Sequence, residues 1–333
     1  MNTPGPAGTY QGGPDMKTVI GDAEHRARHE PRVGEWAAEW IQFSSFAVKP
    51  TTVGSYQSLL RSRILPKFGD IPLGGVDGLM VRRWISEMSG AGLSASRVQQ
   101  AHRLLNQLFR SAVECRLLDH NPCAGVKLPR NKGHETLFLN PREVERLADA
   151  VPFRYRALVH VLAYGGLRWG EAAALRRKRI DPDAARITVA ESLADVNGIL
   201  HFGETKTNRI RNVAIPAFLI EDLRAHLETI HEDQEALVFT SPRGSPLRVS
   251  NFRRRVWWPG LESARLPHGL RIHDLRHTCV TMLISRGVHP KAIQHHLGHA
   301  NIDITMNRYG HLLPDQFNDL AAQLDAAHGQ AIA

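Results

Sequence analysis

Residues 33–121 place apolar side chains at helical spacing from one end to the other, with no stretch that alternates as a strand would. Trp36, Trp40 and Phe43 fall on one helix face, and Thr51 or Thr52 can cap a second helix carrying Val53, Tyr56, Leu59 and Leu60. Pro66 and the glycine pair after Leu73 break the chain. Asp77 then opens a helix with Met80, Trp84, Ile85 and Met88, and Ser94 opens a longer one through Val98, Leu105, Leu108, Phe109, Ala112 and Val113. Four or five helices in about 90 residues can cover their apolar stripes only against one another, which makes a small bundle.

The residues on either side of this bundle set the domain plan. The first 30 are rich in Gly and Pro, lack apolar periodicity and carry no run of strands, so they read as a flexible tail. VKLPRNKGHET, at 126–136, is polar, basic and broken by proline, as a linker is. Asn140, Pro141 and Glu143 then form a strong helix start. The expected plan is a tail at 1–30, a helical domain at 31–125, a linker at 126–135 and a second domain at 136–333.

In the second domain, residues 154–175 read as helical with a bend at Gly165 and Gly166. Residues 186–190, 199–204 and 210–215 carry β-branched or alternating patterns, and Asn197-Gly198 is a hairpin signal. They predict one three-stranded antiparallel sheet, with Lys206 in the turn between its second and third strands. Helices are expected to resume near Pro216, Ser250, His273, Pro290, Asp303 and Asp315. The fold class is therefore mainly α with a small antiparallel β-sheet: a helical bundle followed by an α+β domain.

A net charge of +9 points to a polyanionic partner, most simply nucleic acid. Three cysteines, Cys115, Cys123 and Cys279, have no paired spacing, so no disulfide framework is expected. With no apolar run of membrane length and no signal-peptide core, the reading is a cytoplasmic protein.

The chemistry concentrates in residues 270–311, LRIHDLRHTCVTMLISRGVHPKAIQHHLGHANIDITMNRYGHL. If Asp274 caps a helix, His273, Arg276 and His277 share a face. His299 follows in a Leu-Gly-His turn, and Tyr309 comes ten residues later. A forked cation, an imidazole and a phenol together suit chemistry on a phosphate. His273 and His277 also match the spacing of a zinc-binding HExxH helix, but Asp274 stands where the glutamate base belongs and Arg276 would set a cation beside the metal.

HDLRHT, LGHA and NRYGHL together resemble the C-terminal signature of the tyrosine recombinase (phage-type integrase) family. Upstream, Gly166-Leu167-Arg168-Trp169-Gly170-Glu171 resembles the family's first-arginine motif, and Lys206 in GETKTNRIRNVAIP its β-hairpin lysine. The resemblance covers about residues 35–320. It implies a site-specific recombinase whose N-terminal bundle is a core-binding domain, one half of a clamp around DNA. It also implies that Tyr309 forms a 3′-phosphotyrosyl link and frees a 5′ hydroxyl, with neither ATP nor metal and no cofactor. Four protomers would act in a synapse, two cutting at a time, through a Holliday junction, with a monomer free in solution.

Physical chemistry assigns parts within that frame. A tyrosine of pKa near 10 costs roughly 4 kcal/mol to ionise at pH 7, and adjacent cations offset that cost while stabilising the transition state. Arg168 and Arg276 fork onto non-bridging oxygens, His299 donates a further hydrogen bond, and Lys206 protonates the leaving 5′ oxygen. His273 accepts the tyrosine proton, as its family counterpart is proposed to do. Glu171 orients histidine or arginine. Lys178 and Lys291 are weaker lysine candidates, since neither lies in a hairpin. Arg61, Arg83, Arg97, Arg211, Arg253, Arg254 and Arg255 are expected phosphate contacts, and Trp257 and Trp258 are expected in the core.

The leading function is integration or excision of a phage or mobile element, with an excisionase or host DNA-bending factor as further partners. A cellular chromosome-dimer resolvase, a topoisomerase IB-like relaxer and a catalytically silent DNA-binding regulator are the alternatives. Family members often exchange a C-terminal segment, so the helix expected at 315–327 is read as reaching a neighbour.

Overall fold

Helix α1 (Val33–Ala47) buries Val33, Trp36, Ala37 and Trp40, a stripe at helical spacing. The Trp36 indole donates to the Leu108 carbonyl at 3.1 Å, fixing α1 against α5 (Ala95–Glu114). The stripe stops at Trp40: Phe43, expected to continue it, is 66 % exposed. Helix α2 (Pro50–Leu59) starts with Pro50 in its first turn and Lys49 as its cap, so Thr51 and Thr52 lie inside it rather than capping it. It runs through a π turn (Leu60–Ile64) into α3 (Leu65–Phe68). Pro66, read as a break, is thus carried within a continuing helix, because the wider turn before it relieves the carbonyl its ring would meet.

Asp77 caps α4 (Gly78–Gly90) by accepting from the Met80 amide at 2.8 Å, and the Ser94 hydroxyl does the same for α5. Ile64, Phe68, Leu73, Leu105, Leu108 and Phe109 fill the centre of this first unit. The Phe68 and Trp84 rings meet edge to face at 5.2 Å.

The computed structural model describes residues 30–131, 137–205 and 209–298, which form two compact units, one on each side of Gly133. The tail, the second half of the expected linker and the helices expected near Asp303 and Asp315 lie outside the described residues.

The second unit opens at α6 (Pro141–Ala150). Asn140 and Glu143 exchange side-chain to backbone hydrogen bonds in a capping box, and Val144, Leu147 and Ala148 face inward. Helix α7 (Arg156–Ala163) is buried along its whole length. The chain then turns at Gly166, whose φ of 63° is the left-handed region. A Cβ there would lie 2.7 Å from Leu297 Cδ2 and 3.1 Å from Cys279 Sγ, so glycine permits this close approach. Arg168 follows as the N-cap of the short helix α8 (Trp169–Ala173).

The β region differs from the single expected sheet. β1 (Ile180–Asp181), β2 (Arg186–Val189) and β5 (Arg211–Ala214) form one sheet in the order β1-β2-β5, and β3 (Glu191–Val196) pairs with β4 (Ile199–Glu204) in another. Strand 199–204 therefore pairs with 191–196 and not with 186–189. The reason is local. Asn197 and Gly198 have φ of 52° and 85°, a tight turn whose twist matches the strands it joins, so the closest partner wins. The segment carrying Lys206 connects β4 to β5, where the buried Thr205 hydroxyl donates to the Arg209 carbonyl at 3.1 Å.

Helix α9 (Ala217–Glu228) packs on α7. Helices α10 (Val249–Phe252) and α11 (Trp258–Ser263) are joined by a π turn that holds Arg253, Arg254 and Arg255 on the surface. Trp257 is core, with its indole on the Leu270 carbonyl at 3.0 Å, whereas Trp258, expected beside it, is 48 % exposed. Helix α12 (Asp274–Ile284) is buried on nearly every face and α13 (Pro290–Leu297) packs against it through Ile293 and Leu297.

Candidate active site

Arg276 lies one turn into α12 with 3 % of its surface exposed. It donates through Nη1 to the Gly166 carbonyl and through Nη2 to the Leu297 carbonyl at 2.7 Å. Arg168 reaches the same place from α8, donating through Nη2 to the Gly298 carbonyl at 3.3 Å and through Nη1 to Glu171 Oε1 at 2.7 Å. Burial, and then the charge of Arg168, lower Arg276 from the ordinary 12.5 to about 9, still protonated at neutral pH. The site thus concentrates positive charge, which the carboxylate bonded to Arg168 only partly offsets.

That carboxylate is Glu171, buried beneath both arginines of its own contact shell. It takes the Arg168 backbone amide at 2.9 Å and both Nη groups of Arg211, at 3.1 and 2.7 Å. Burial alone pushes its carboxyl upward, but the Arg211 hydrogen bonds and the charges of Arg211 and Arg168 prevail and hold it at about 2. Glu171 therefore stays ionised and sets the Arg168 guanidinium.

His273 sits at the N-cap of α12, so Asp274 is not the cap. The Asp274 carboxylate instead turns back to accept from the Arg271 amide and its guanidinium, both at 2.7 Å. The His273 and His277 rings meet edge to face at 4.9 Å. His273 keeps an open edge, but partial desolvation by the protein around it, and then the charges of Arg276 and Arg168, lower it to about 4, so it is a neutral imidazole at pH 7 and can take a proton. Among the described residues no group of three or more His, Cys, Asp or Glu side chains is placed to hold a metal ion.

Arg168, Glu171, His273 and Arg276 come together; Lys206, His299 and Tyr309 lie outside the described residues. Arg211, read as a phosphate contact, is instead an interior residue: it is 8 % exposed and its fork closes on Glu171. The alternation of β5 held the signal, since Arg211 and Val213 are buried while Asn212 and Ala214 are exposed. Arg61, Arg83, Arg97, Arg253, Arg254 and Arg255 are exposed. Lys178 pairs with Glu235.

A helical bundle, a largely helical second unit with small antiparallel sheets, and two arginines brought together beside a histidine suit a protein that handles a DNA phosphate. The chain belongs to the phage integrase family: that family's model matches residues 137–316, and the phage integrase N-terminal SAM-like domain matches 33–89. The integrase of Mycobacterium phage FRAT1 is 32 % identical over 281 residues, covering 82 % of each chain. A XerC-like tyrosine recombinase of Caldanaerobacter subterraneus is 27 % identical over 311 residues, covering 84 % of this chain and 78 % of its own. Among solved structures, the Tn1549 transposon integrase in complex with a circular intermediate DNA superposes with a TM-score of 0.76 at 21 % identity, over 89 % of this chain and 99 % of that one. The protein is a site-specific recombinase that cuts and rejoins DNA. No helix among the described residues is long and apolar enough to cross a membrane.

Proposed function

We propose that this recombinase integrates and excises a phage or integrative element, with Tyr309 as nucleophile. The observation that carries the assignment of parts is the meeting of Arg168 and Arg276 at neighbouring carbonyls of one helix end, with neutral His273 beside them. Two guanidinium groups there can grip the non-bridging oxygens of one scissile phosphate. His273 takes the phenolic proton as Tyr309 attacks phosphorus, and His299 donates to the phosphorane. Lys206 gives a proton to the departing 5′ oxygen. Exchange of strands and the reverse reaction on the partner duplex regenerate the tyrosine, and the phosphotyrosyl bond conserves the phosphodiester energy.

Residues 31–125 form the core-binding half of a clamp on double-stranded attachment-site DNA, and 136–333 the catalytic half. Arg61, Arg83, Arg97, Arg253, Arg254 and Arg255 are exposed, as backbone contacts must be. The protein is a nucleoid-associated monomer when free and a homotetramer in the synapse, aided by an excisionase or a DNA-bending factor. A cellular chromosome-dimer resolvase is the second reading, on the likeness to a XerC-like tyrosine recombinase; finding the gene beside an attachment site and an excisionase-like gene would argue against it.

Tyr309→Phe is expected to bind target duplex with unchanged affinity and to leave no covalent adduct on a nicked suicide substrate. An adduct that persists in this variant assigns the chemistry to another nucleophile.

A further inference from the structure

Three consecutive main-chain carbonyls at the end of α13 are each taken by a different arginine. His296 O accepts from Arg211 Nε at 3.1 Å, Leu297 O from Arg276 Nη2 at 2.7 Å and Gly298 O from Arg168 Nη2 at 3.3 Å. These lie at the helix end where carbonyls lack intrahelical donors and the dipole is negative. Arg168 and Arg276 belong to the phosphate pocket. Arg211 does not, yet it makes the most connections: from β5 it reaches α13 through Nε and α8 through both Nη groups. It also packs over Gly298, in the left-handed region at φ 68°, where a Cβ would lie 2.9 Å from Arg211 Cδ and 3.1 Å from Nε.

We propose that Arg211 is a positioning residue for strand cleavage: it holds the Glu171 carboxylate and the last turn of α13 in one register, and through the carboxylate the Arg168 guanidinium. The inference rests on the reading above that Arg168 acts on the scissile phosphate.

The geometry explains how. Each Glu171 oxygen is shared: Oε1 takes Arg168 Nη1 and Arg211 Nη1, and Oε2 takes the Arg168 amide and Arg211 Nη2. Arg211 thereby fixes the plane of the carboxylate and leaves Arg168 bound to it by one guanidinium nitrogen. Without Arg211, the carboxylate has Arg168 as its one remaining ion-pair partner among the described residues and can rotate to close on both of its nitrogens, drawing the guanidinium away from phosphate. The His296 carbonyl loses its Arg211 donor at the same time, so the last turn of α13 loosens. A lysine keeps the charge but cannot fork onto Glu171 and reach His296 O together.

Buried ion pairs can often be replaced by apolar side chains without loss of stability, which allows stability and rate to be separated. The full chain is tested on a nicked suicide duplex drawn from the DNA flanking its gene, at the sequence where the unaltered chain forms its covalent adduct. Arg211→Lys and Arg211→Met are expected to slow single-turnover adduct formation on the order of 10–100-fold at saturating duplex, with affinity for the duplex within about threefold. The double variant Arg211→Met, Glu171→Gln removes both charges and is expected to regain the unfolding temperature but not the rate. A rate that recovers with the unfolding temperature, or an Arg211→Lys variant that reacts as fast as the unaltered chain, overturns the inference. An unaltered chain that forms no adduct on any such duplex refutes instead the function from which the inference starts.

Discussion

Replacing Arg276 with methionine should abolish strand cleavage while costing the second unit little or no stability. The side chain is 3 % exposed, and burial together with the Arg168 charge lowers its pKa from 12.5 to about 9. That depression means that the folded state disfavours the charge, by an amount on the order of several kcal/mol. Methionine fills much of the same space without that penalty. Against it stand the Gly166 and Leu297 carbonyls, each of which loses a donor at about 1–3 kcal/mol. The two effects are of similar size and opposite sign, so the balance lies near zero, far from the roughly 3–5 kcal/mol lost when a compensated buried charge is stripped of its partner. Thermal unfolding at pH 7.5 and low salt reads the difference as a shift of about 2–4 °C per kcal/mol for a unit of this size. Sulfate supplies a second arm: at 100 times its dissociation constant an oxyanion held between Arg168 and Arg276 adds about 2.7 kcal/mol, and the variant should lose most of that gain. A variant destabilised by more than about 3 kcal/mol, or one that sulfate stabilises as strongly as the unaltered protein, refutes the view of this site as one of incompletely offset positive charge.

Two further outcomes follow from the same pocket. His273 is held at about 4, first by burial and then by Arg276, so its capacity to accept a proton is present above that value and is lost as pH falls through it. The acidic limb of kcat/KM for adduct formation, which reports the free enzyme, is therefore expected near pH 4 and not near 6.5, and His273→Gln should remove it; a limb at 6.5 that survives in His273→Gln assigns it elsewhere. The folded form also binds this proton more weakly than the unfolded chain, so the group lowers stability as pH drops from 6.5 towards 4. Gly166→Ala forces a side chain into the left-handed region and against Leu297 and Cys279. The strain alone costs about 1–2 kcal/mol, measurable by urea unfolding, and displacement of α13 should slow cleavage as well. A variant within about 0.5 kcal/mol of the unaltered protein would show that the turn does not depend on glycine.

What could be read directly were features whose cause lies within a few residues. The caps of Asp77, Ser94 and Asn140 are decided by a side chain and an amide three positions on. The Asn197-Gly198 turn is decided by two residues that tolerate positive φ. The order of the arginine and histidine motifs was enough to identify the family. What stayed hidden depends on which distant surface arrives. Phe43 and Trp258 carry the right spacing for a core, but no neighbour covers them within their own units among the described residues. The strand at 199–204 found the partner its own hairpin supplied, leaving β2 to pair with β5. Arg211 reads as one more surface cation in a basic loop until β5 is placed beside Glu171 and the end of α13. By itself, then, the chain determined most of its helices, the caps at Asp77, Ser94 and Asn140, and its family, because those follow from short-range hydrogen bonding and residue type. Only the tertiary structure decided which arginines face inward, because burying a guanidinium is favourable only where a carboxylate and orphan carbonyls from remote segments converge to meet it.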